Sequence, residues 1–238
     1  MDNESLSANT LFNFTKEFEY LKSKIENGFK PRLVLEGYHS TLGKEIEIAV
    51  PMVCFCDIRL SQILTHVEEY GDYGIGLEKE WAMKKRVEPL IYALENSTPI
   101  KIFKNFVNKK SNTQERKNVL RFIAYLKPYS GMQNGKNRNF YNEREWRFVP
   151  NVDLDTYSLE KKEFEEEIKK NDKNCLLFEN SGTGLDFDFK DIKYIILKHR
   201  SEISDVVKII RNRFHSVNEA DVYENIVFLT KEAIEKDL

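Results

Sequence analysis

Val50-Pro-Met-Val-Cys-Phe-Cys-Asp57, followed by Tyr70-Gly-Asp-Tyr-Gly-Ile-Gly-Leu77, is the stretch on which the reading of this chain turns. The first run is apolar and ends in small and polar residues, the pattern of a buried strand. The second interleaves glycines with tyrosines, and glycine inside a strand marks a close approach by another group. Strands that deliver Cys, Asp and Tyr to their ends line many pockets. The two segments therefore predict paired strands bordering a pocket.

Working outward, Leu11–Phe14 reads as a strand, with Thr15 as cap of a helix carrying Phe18, Leu21 and Ile25 and stopped by Asn27-Gly28. Pro31 makes Phe29–Arg32 a turn. Ile46, Ile48 and Val50 alternate into the buried strand. Ser61 is placed to cap a helix whose Ile63, Leu64, Val67 and Tyr70 share a face, closed by Gly71. A strand at Tyr73–Leu77, a short helix through Trp81 and a strand at Pro89–Leu94 follow. Thr113–Leu126 is amphipathic, Tyr129–Arg138 has the composition of a flexible loop, and Glu143–Val149 reads as a strand. Ser158–Lys170 is almost wholly charged, a solvated helix or peripheral insertion spanning 158–171. Ile192–Leu197, Ile203–Phe214 and Val222–Leu229 complete the set as strand, helix and strand. The irregular alternation, without repeats or an obvious linker, predicts one domain over 1–238, α/β or α+β.

Composition narrows the function classes. With 41% hydrophobic and 32% charged residues the chain is that of a globular protein with a charged surface. A net charge of −2 gives no global pull towards nucleic acid or an anionic membrane, despite local basic clusters at Lys109-Lys110 and from Lys136 to Arg147. Met1–Thr10 lacks a signal-peptide core, no apolar run reaches membrane-spanning length, and three cysteines make no disulfide framework. A cytoplasmic location is expected.

Several constellations bear on chemistry. Cys54-x-Cys56 shares one strand face but lacks the further ligands that structural zinc takes, so buried thiols are expected and no metal. His66 lies one helical turn before Tyr70, either beside the Tyr-Gly segment or simply packed. Glu143-x-Glu145 puts two carboxylates on one strand face, with Trp146 and Phe148 opposite. Such a pair serves acid–base or charge-stabilising chemistry, or it is a charged edge paired to Arg144, Arg147 or other bases. Asn13 and Thr15 share a face and could bond a polar ligand edge. Asp186, Asp188 and Asp191 would bind magnesium only with another carboxylate beside them, and an exposed strand face explains them as well.

Leu11-Phe-Asn-Phe-Thr15, Val50–Ser61, His66 and Tyr70–Trp81, in this order, resemble the AbiGi family of abortive-infection proteins, over roughly Leu11 to Leu229. That resemblance implies the antitoxin-like half of a bacterial phage-resistance system, with a cognate toxin or another defence-system protein as partner. Glu143-Arg-Glu-Trp-Arg-Phe148 and Ile192–Leu197 are also similar to a broader set of bacterial proteins. A more distant likeness is to ADP-ribosyltransferases, which implies an α+β fold of split mixed β-sheets with flanking helices and an NAD-binding cleft. On that likeness Glu145 or Glu143 is the catalytic carboxylate, and Asn13 and Thr15 face the nicotinamide or ribose. Tyr70 or Tyr73 stacks on nicotinamide, Phe55 lines the same cleft, and Arg32 meets the pyrophosphate. The sequence departs from that pattern at Asn13 and at Cys54, Cys56 and Asp57, where transferases carry other residues. Two functions are therefore expected: transfer of ADP-ribose or cleavage of NAD, and an inert module that neutralises a toxin.

Overall fold

The computed structural model describes residues 8–37, 47–107, 113–133, 135–170 and 183–237. Ile46 and Lys109-Lys110, singled out above, lie outside them, as do His39, Cys175 and Gly182. The chain begins β1 (Thr10–Thr15), α1 (Phe18–Asn27), β2 (Arg32–Gly37), β3 (Glu47–Cys56), α2 (Ile63–Tyr70), β4 (Tyr73–Glu78) and α3 (Lys79–Lys84). Its middle holds β5 (Glu88–Pro89), β6 (Ile91–Ala93), α4 (Thr98–Val107), α5 (Thr113–Ala124), β7 (Leu126–Pro128), β8 (Ser130–Gln133) and β9 (Lys136–Asn139). Then come β10 (Glu145–Phe148), α6 (Leu154–Tyr157), β11 (Leu159–Glu160), α7 (Lys161–Lys170) and β12 (Ile192–Leu197). The last elements are α8 (Ile203–Arg213), α9 (Glu219–Asn225), β13 (Val227–Thr230) and α10 (Lys231–Asp237). The architecture is mixed α+β, as expected. It divides into two compact units: Met1–Phe29, Phe55–Arg86 and Leu185–Leu238 in the first, Lys30–Cys54 and Val87–Gly184 in the second.

The first unit is built on the strand order β13-β12-β4-β1, with Cys56 opposite Phe12. β12 and β13 run parallel and the other pairs antiparallel. β1 meets β4 in register from Thr10↔Glu78 to Thr15↔Tyr73. Directly opposed residues share a face, so Leu11, Asn13 and Thr15 stand with Tyr73, Ile75 and Leu77. Phe12 and Phe14 stand on the other face, over Gly76 and Gly74. A Cβ on Gly76 would lie 2.7 Å from the Phe12 ring and 2.9 Å from Thr10, and one on Gly74 would lie 3.1 Å from Phe14 and Ile196. The space cleared by these glycines is thus taken by the protein's own rings. Phe12 packs there with Cys56, Ile58, Ile196 and, from α2, Ile63 and Val67.

On the opposite face α1 buries Leu21 and Ile25 and sets Phe18 5.4 Å from Tyr73. Gly28 ends α1 at φ 72°, a left-handed conformation that glycine adopts without strain. Phe29, Phe55, Trp81 and Phe187 form a buried aromatic cluster. Arg213 lies over Phe187, 4.4 Å from its centroid, and donates to the Ile25 carbonyl.

The second unit centres on the Glu47–Cys54 part of β3. β2 pairs with it from Arg32↔Met52 to Gly37↔Glu47, and β11 pairs at Ala49 and Ile48. β10 neighbours β3 and also pairs antiparallel with β5. Val50 and Met52 pack with Leu120 and Ala124 of α5, Val149 and Leu154. Most of α7 is exposed, as its charge run predicts, while Phe164 packs inward beside Leu33 and Ala49.

Four local expectations are corrected. Thr15 caps nothing, because it is held in the ladder opposite Tyr73, and α1 starts at Phe18 behind Glu17. Ser61 lies inside a 3-10 turn, with Gln62 before α2. Tyr129–Arg138 is not an irregular loop, since β8 and β9 pair from Ser130↔Asn139 to Gln133↔Lys136. Val222–Leu229 is split, because Asn218 and Asp221 form a reciprocal capping box that commits Glu219–Asn225 to helix. Among the described residues no helix is long and apolar enough to cross a membrane.

Gly76→Ala is expected to destabilise the protein by about 1–3 kcal/mol through overpacking against Phe12. A urea titration checks this, and a loss below about 0.5 kcal/mol, the range of a neutral surface change, would contradict the packing described.

Candidate functional site

Glu145 and Arg147 alternate with Trp146 and Phe148 along β10, and the charged pair is the buried one. Arg147 is 0% exposed and Glu145 7%. A guanidinium cannot be deprotonated, so its burial demands partners on every side. Its Nε donates to Glu145 Oε1 at 2.6 Å and its Nη1 to the Ala124 carbonyl at 2.8 Å. Its Nη2 donates to Glu36 Oε1 of β2 and to Glu145 Oε2.

Glu143 and Glu145 are not alternate residues of one strand. Glu143 ends a 3-10 turn, and Arg144 adopts a left-handed conformation (φ 45°, ψ 48°) before β10 begins. Lys127 of β7 nevertheless joins the two carboxylates, donating to Glu143 at 2.7 Å and to Glu145 Oε2 at 2.6 Å. The Tyr92 hydroxyl accepts the Glu145 backbone N–H at 2.7 Å, and Lys127 lies 5.3 Å from the Phe140 ring centroid. The outcome is the paired arrangement the sequence left open, with Arg147 and Lys127 as the bases.

The electrostatics follow from burial and charge together. Burial raises the Glu145 carboxyl, but Arg147 and Lys127 outweigh it and hold it at about 2. Burial lowers Lys127, yet Glu145, Glu36 and Glu143 carry it well above the ordinary lysine range. The Cys54 thiol is pushed up by burial and by the Glu145 carboxylate, and it shares a hydrogen bond with Glu145. Cys54 is therefore a protonated donor at neutral pH and no nucleophile. Three carboxylates face two cations in this network, and both Glu145 oxygens are engaged.

The other expected site residues lie as follows. Asn13, Thr15 and Tyr73 share one face of the first unit's sheet, where the Tyr73 hydroxyl donates to Glu202 at 2.8 Å. Tyr70 lies 5.7 Å from His66, whose ring faces Phe14 on the other side of that sheet. Phe55 is buried between Phe29 and Trp81. Arg32 is exposed at the start of β2, in the second unit with Glu143 and Glu145. The eight residues thus divide, Asn13, Thr15, Phe55, Tyr70 and Tyr73 in one unit and Arg32, Glu143 and Glu145 in the other. Asp186 pairs with Arg213, and Asp191 accepts the Asp188 N–H at 2.8 Å, beside a groove of 290 Å³ that includes Trp81 and Lys190. Among the described residues no group of three His, Cys, Asp or Glu could hold a metal ion.

Sequence reasoning missed Glu36, Tyr92 and Lys127. A signal existed for two of them. Glu36 follows the apolar run Leu33-Val-Leu35, and Lys127 stands between Leu126 and Pro128. A lone charge on an apolar strand is buried only when it is paired.

A family model described as "Putative abortive phage resistance protein AbiGi, antitoxin" matches residues 27–198. The chain belongs to the AbiGi family. The AbiGi match contains every member of the ion network, whereas Asn13 and Thr15 precede it. A curated relative, "Abortive phage resistance protein AbiGi" of Lactococcus lactis subsp. cremoris, is 28% identical over 132 residues, covering 44% of this chain and 53% of that protein. The chain therefore spans about half the length of the curated AbiGi relative it matches. No solved structure matches it.

Lys127→Met leaves the buried Glu145 and the half-buried Glu143 without their shared cation and is expected to lower stability by about 3–5 kcal/mol in urea unfolding. Glu145 sets the acid limit. Its folded value of about 2 lies below the ordinary 4.5, so its contribution is whole above pH 4.5 and is lost as pH falls towards 2. Denaturation midpoints that stay level from pH 5 to about 2 would contradict that assignment.

Proposed function

We propose that this chain is the antitoxin of an abortive-infection system, a module that binds and neutralises a partner toxin and carries out no reaction of its own. The observation that carries this reading is the AbiGi antitoxin model matching residues 27–198. The chemistry of the ion network supports it. A carboxylate that acts as base or stabilises a developing cation needs an oxygen open to substrate. Glu145 has Arg147 on one oxygen and Lys127 and Arg147 on the other, at a carboxyl held near 2. That is the arrangement of a structural anion. The NAD-transfer expectation, with Glu145 as its catalytic group, is the weaker reading for this reason.

Two measurements test the antitoxin reading. Induction of the toxin encoded in the same defence system should arrest growth, and co-expression of this chain should restore it. Purified protein incubated with NAD, alone and with cell lysate, should release no nicotinamide above a protein-free control. Persistent growth arrest on co-expression, or nicotinamide release proportional to protein concentration, would overturn the proposal.

A further inference from the structure

Among the described residues, four of the twelve exposed large apolar side chains, Ile91, Leu94, Ile102 and Phe122, fall within 91–122 of the second unit. Scattered singly, such residues need no explanation, but a group of them marks a contact surface. Ile91, Ile102 and Phe122 border one small cluster. Ala93, Ile100, Ile123 and Leu126 are its buried members, and Phe103 and Val119 pack half-buried against them. The Phe103 and Phe122 rings lie 4.4 Å apart and join α4 to α5. Ile91 stands opposite Leu126 in the β6–β7 pair, and Ile102, next to Phe103 on α4, is 54% exposed.

The charges beside this patch are few. α4 carries Lys101 and Lys104 and no Asp or Glu, and neither lysine has an ion-pair partner among the described residues. Lys101 is exposed and Lys104 half-buried, and at a spacing of three they stand on one side of the helix. The cations of α5 are already engaged: Lys117 pairs with Asp153, and the Pro150 and Val152 carbonyls hold Arg121. Glu95, exposed, follows Leu94. The patch is therefore bordered by open positive charge along α4 alone.

We infer that this face of α4 and α5 receives the partner toxin, which meets it with apolar side chains bordered by carboxylates on the α4 side. This rests on the antitoxin reading and names the surface that such a module needs. An apolar centre with a charged rim is the anatomy of a protein interface. Charge complementarity selects the rim of the partner, because Lys101 and Lys104 have no carboxylate of their own chain to meet. A second copy of this chain fits less well, since an isologous contact centred here would gather the same two lysines from both copies in one interface. A lipid surface also fits less well. Recognition of anionic headgroups takes clusters of about 4–8 Lys or Arg, and α4 offers Lys101 and Lys104.

The test titrates the whole purified chain with the purified toxin of the same defence system in a calorimeter. Ile102→Asp should weaken binding by about tenfold or more. K101E/K104E should weaken it too, and its remaining affinity should depend less on salt. Met83→Asp, at an equally exposed apolar position of the first unit, should bind as wild type does. All three variants alter surface side chains and should melt with the wild type. Wild-type affinity in Ile102→Asp, or equal losses in Ile102→Asp and Met83→Asp, would overturn the assignment. So would self-association on a sizing column, or flotation with phosphatidylserine vesicles, that Ile102→Asp abolishes. Neutralisation by wild type separates the two failures: if it persists in Ile102→Asp the surface is wrong, and if wild type itself does not neutralise the toxin the antitoxin reading falls and takes this surface with it.

Discussion

A fully buried arginine, Arg147, is the constraint around which the second unit is arranged. Its guanidinium cannot lose its proton, so the surroundings must supply acceptors or the fold does not form. Three come from separate parts of the chain: Glu145 from the same strand, Glu36 from β2 and the Ala124 carbonyl from the end of α5. Lys127 extends the network to β7 and to Glu143. Well-packed apolar residues of similar volume often hold such elements as strongly as a buried ion pair does. What the ions add is discrimination, because a shift of any one segment strands a buried charge.

The same network helps to anchor a short hairpin, β8–β9. An isolated two-stranded hairpin is marginally stable in water. Here its root is fixed by the Tyr129–Tyr141–Tyr92 ring contacts, and Tyr92 is bonded to the backbone of Glu145.

Much of the fold is legible in residue order. The alternation of Ile48, Val50 and their neighbours marks β3, and Gly28 and Gly71 close the helices before them. Tyr73-Gly-Ile-Gly-Leu marks β4 too, but which group fills the space above its glycines is long-range information, because Phe12 and Phe14 stand about sixty residues earlier in the chain. The site was half visible. Glu145 and Arg147 stand two apart and declare a shared face, whereas Glu36 and Lys127 are 109 and 18 residues from Glu145 and join the network only through tertiary packing. The left-handed turn at Arg144 breaks the period-two reading of Glu143 and Glu145, and arginine carries no signal for that conformation. The β8–β9 hairpin was hidden for a compositional reason: its Asn, Gln and Gly residues look like those of a loop, and its strands are fixed by pairing with each other.

The most direct test of the central claim is a double-mutant cycle on Arg147 and Glu145, with Arg147→Met, Glu145→Leu and the pair compared in urea unfolding. If the two charges are buried for each other, each single variant leaves its partner's charge without its main counter-charge, and the double variant removes both. The double variant should then be more stable than the sum of the single losses allows, with a coupling of about 2–3 kcal/mol. Single losses that add to within about 0.5 kcal/mol would contradict the account.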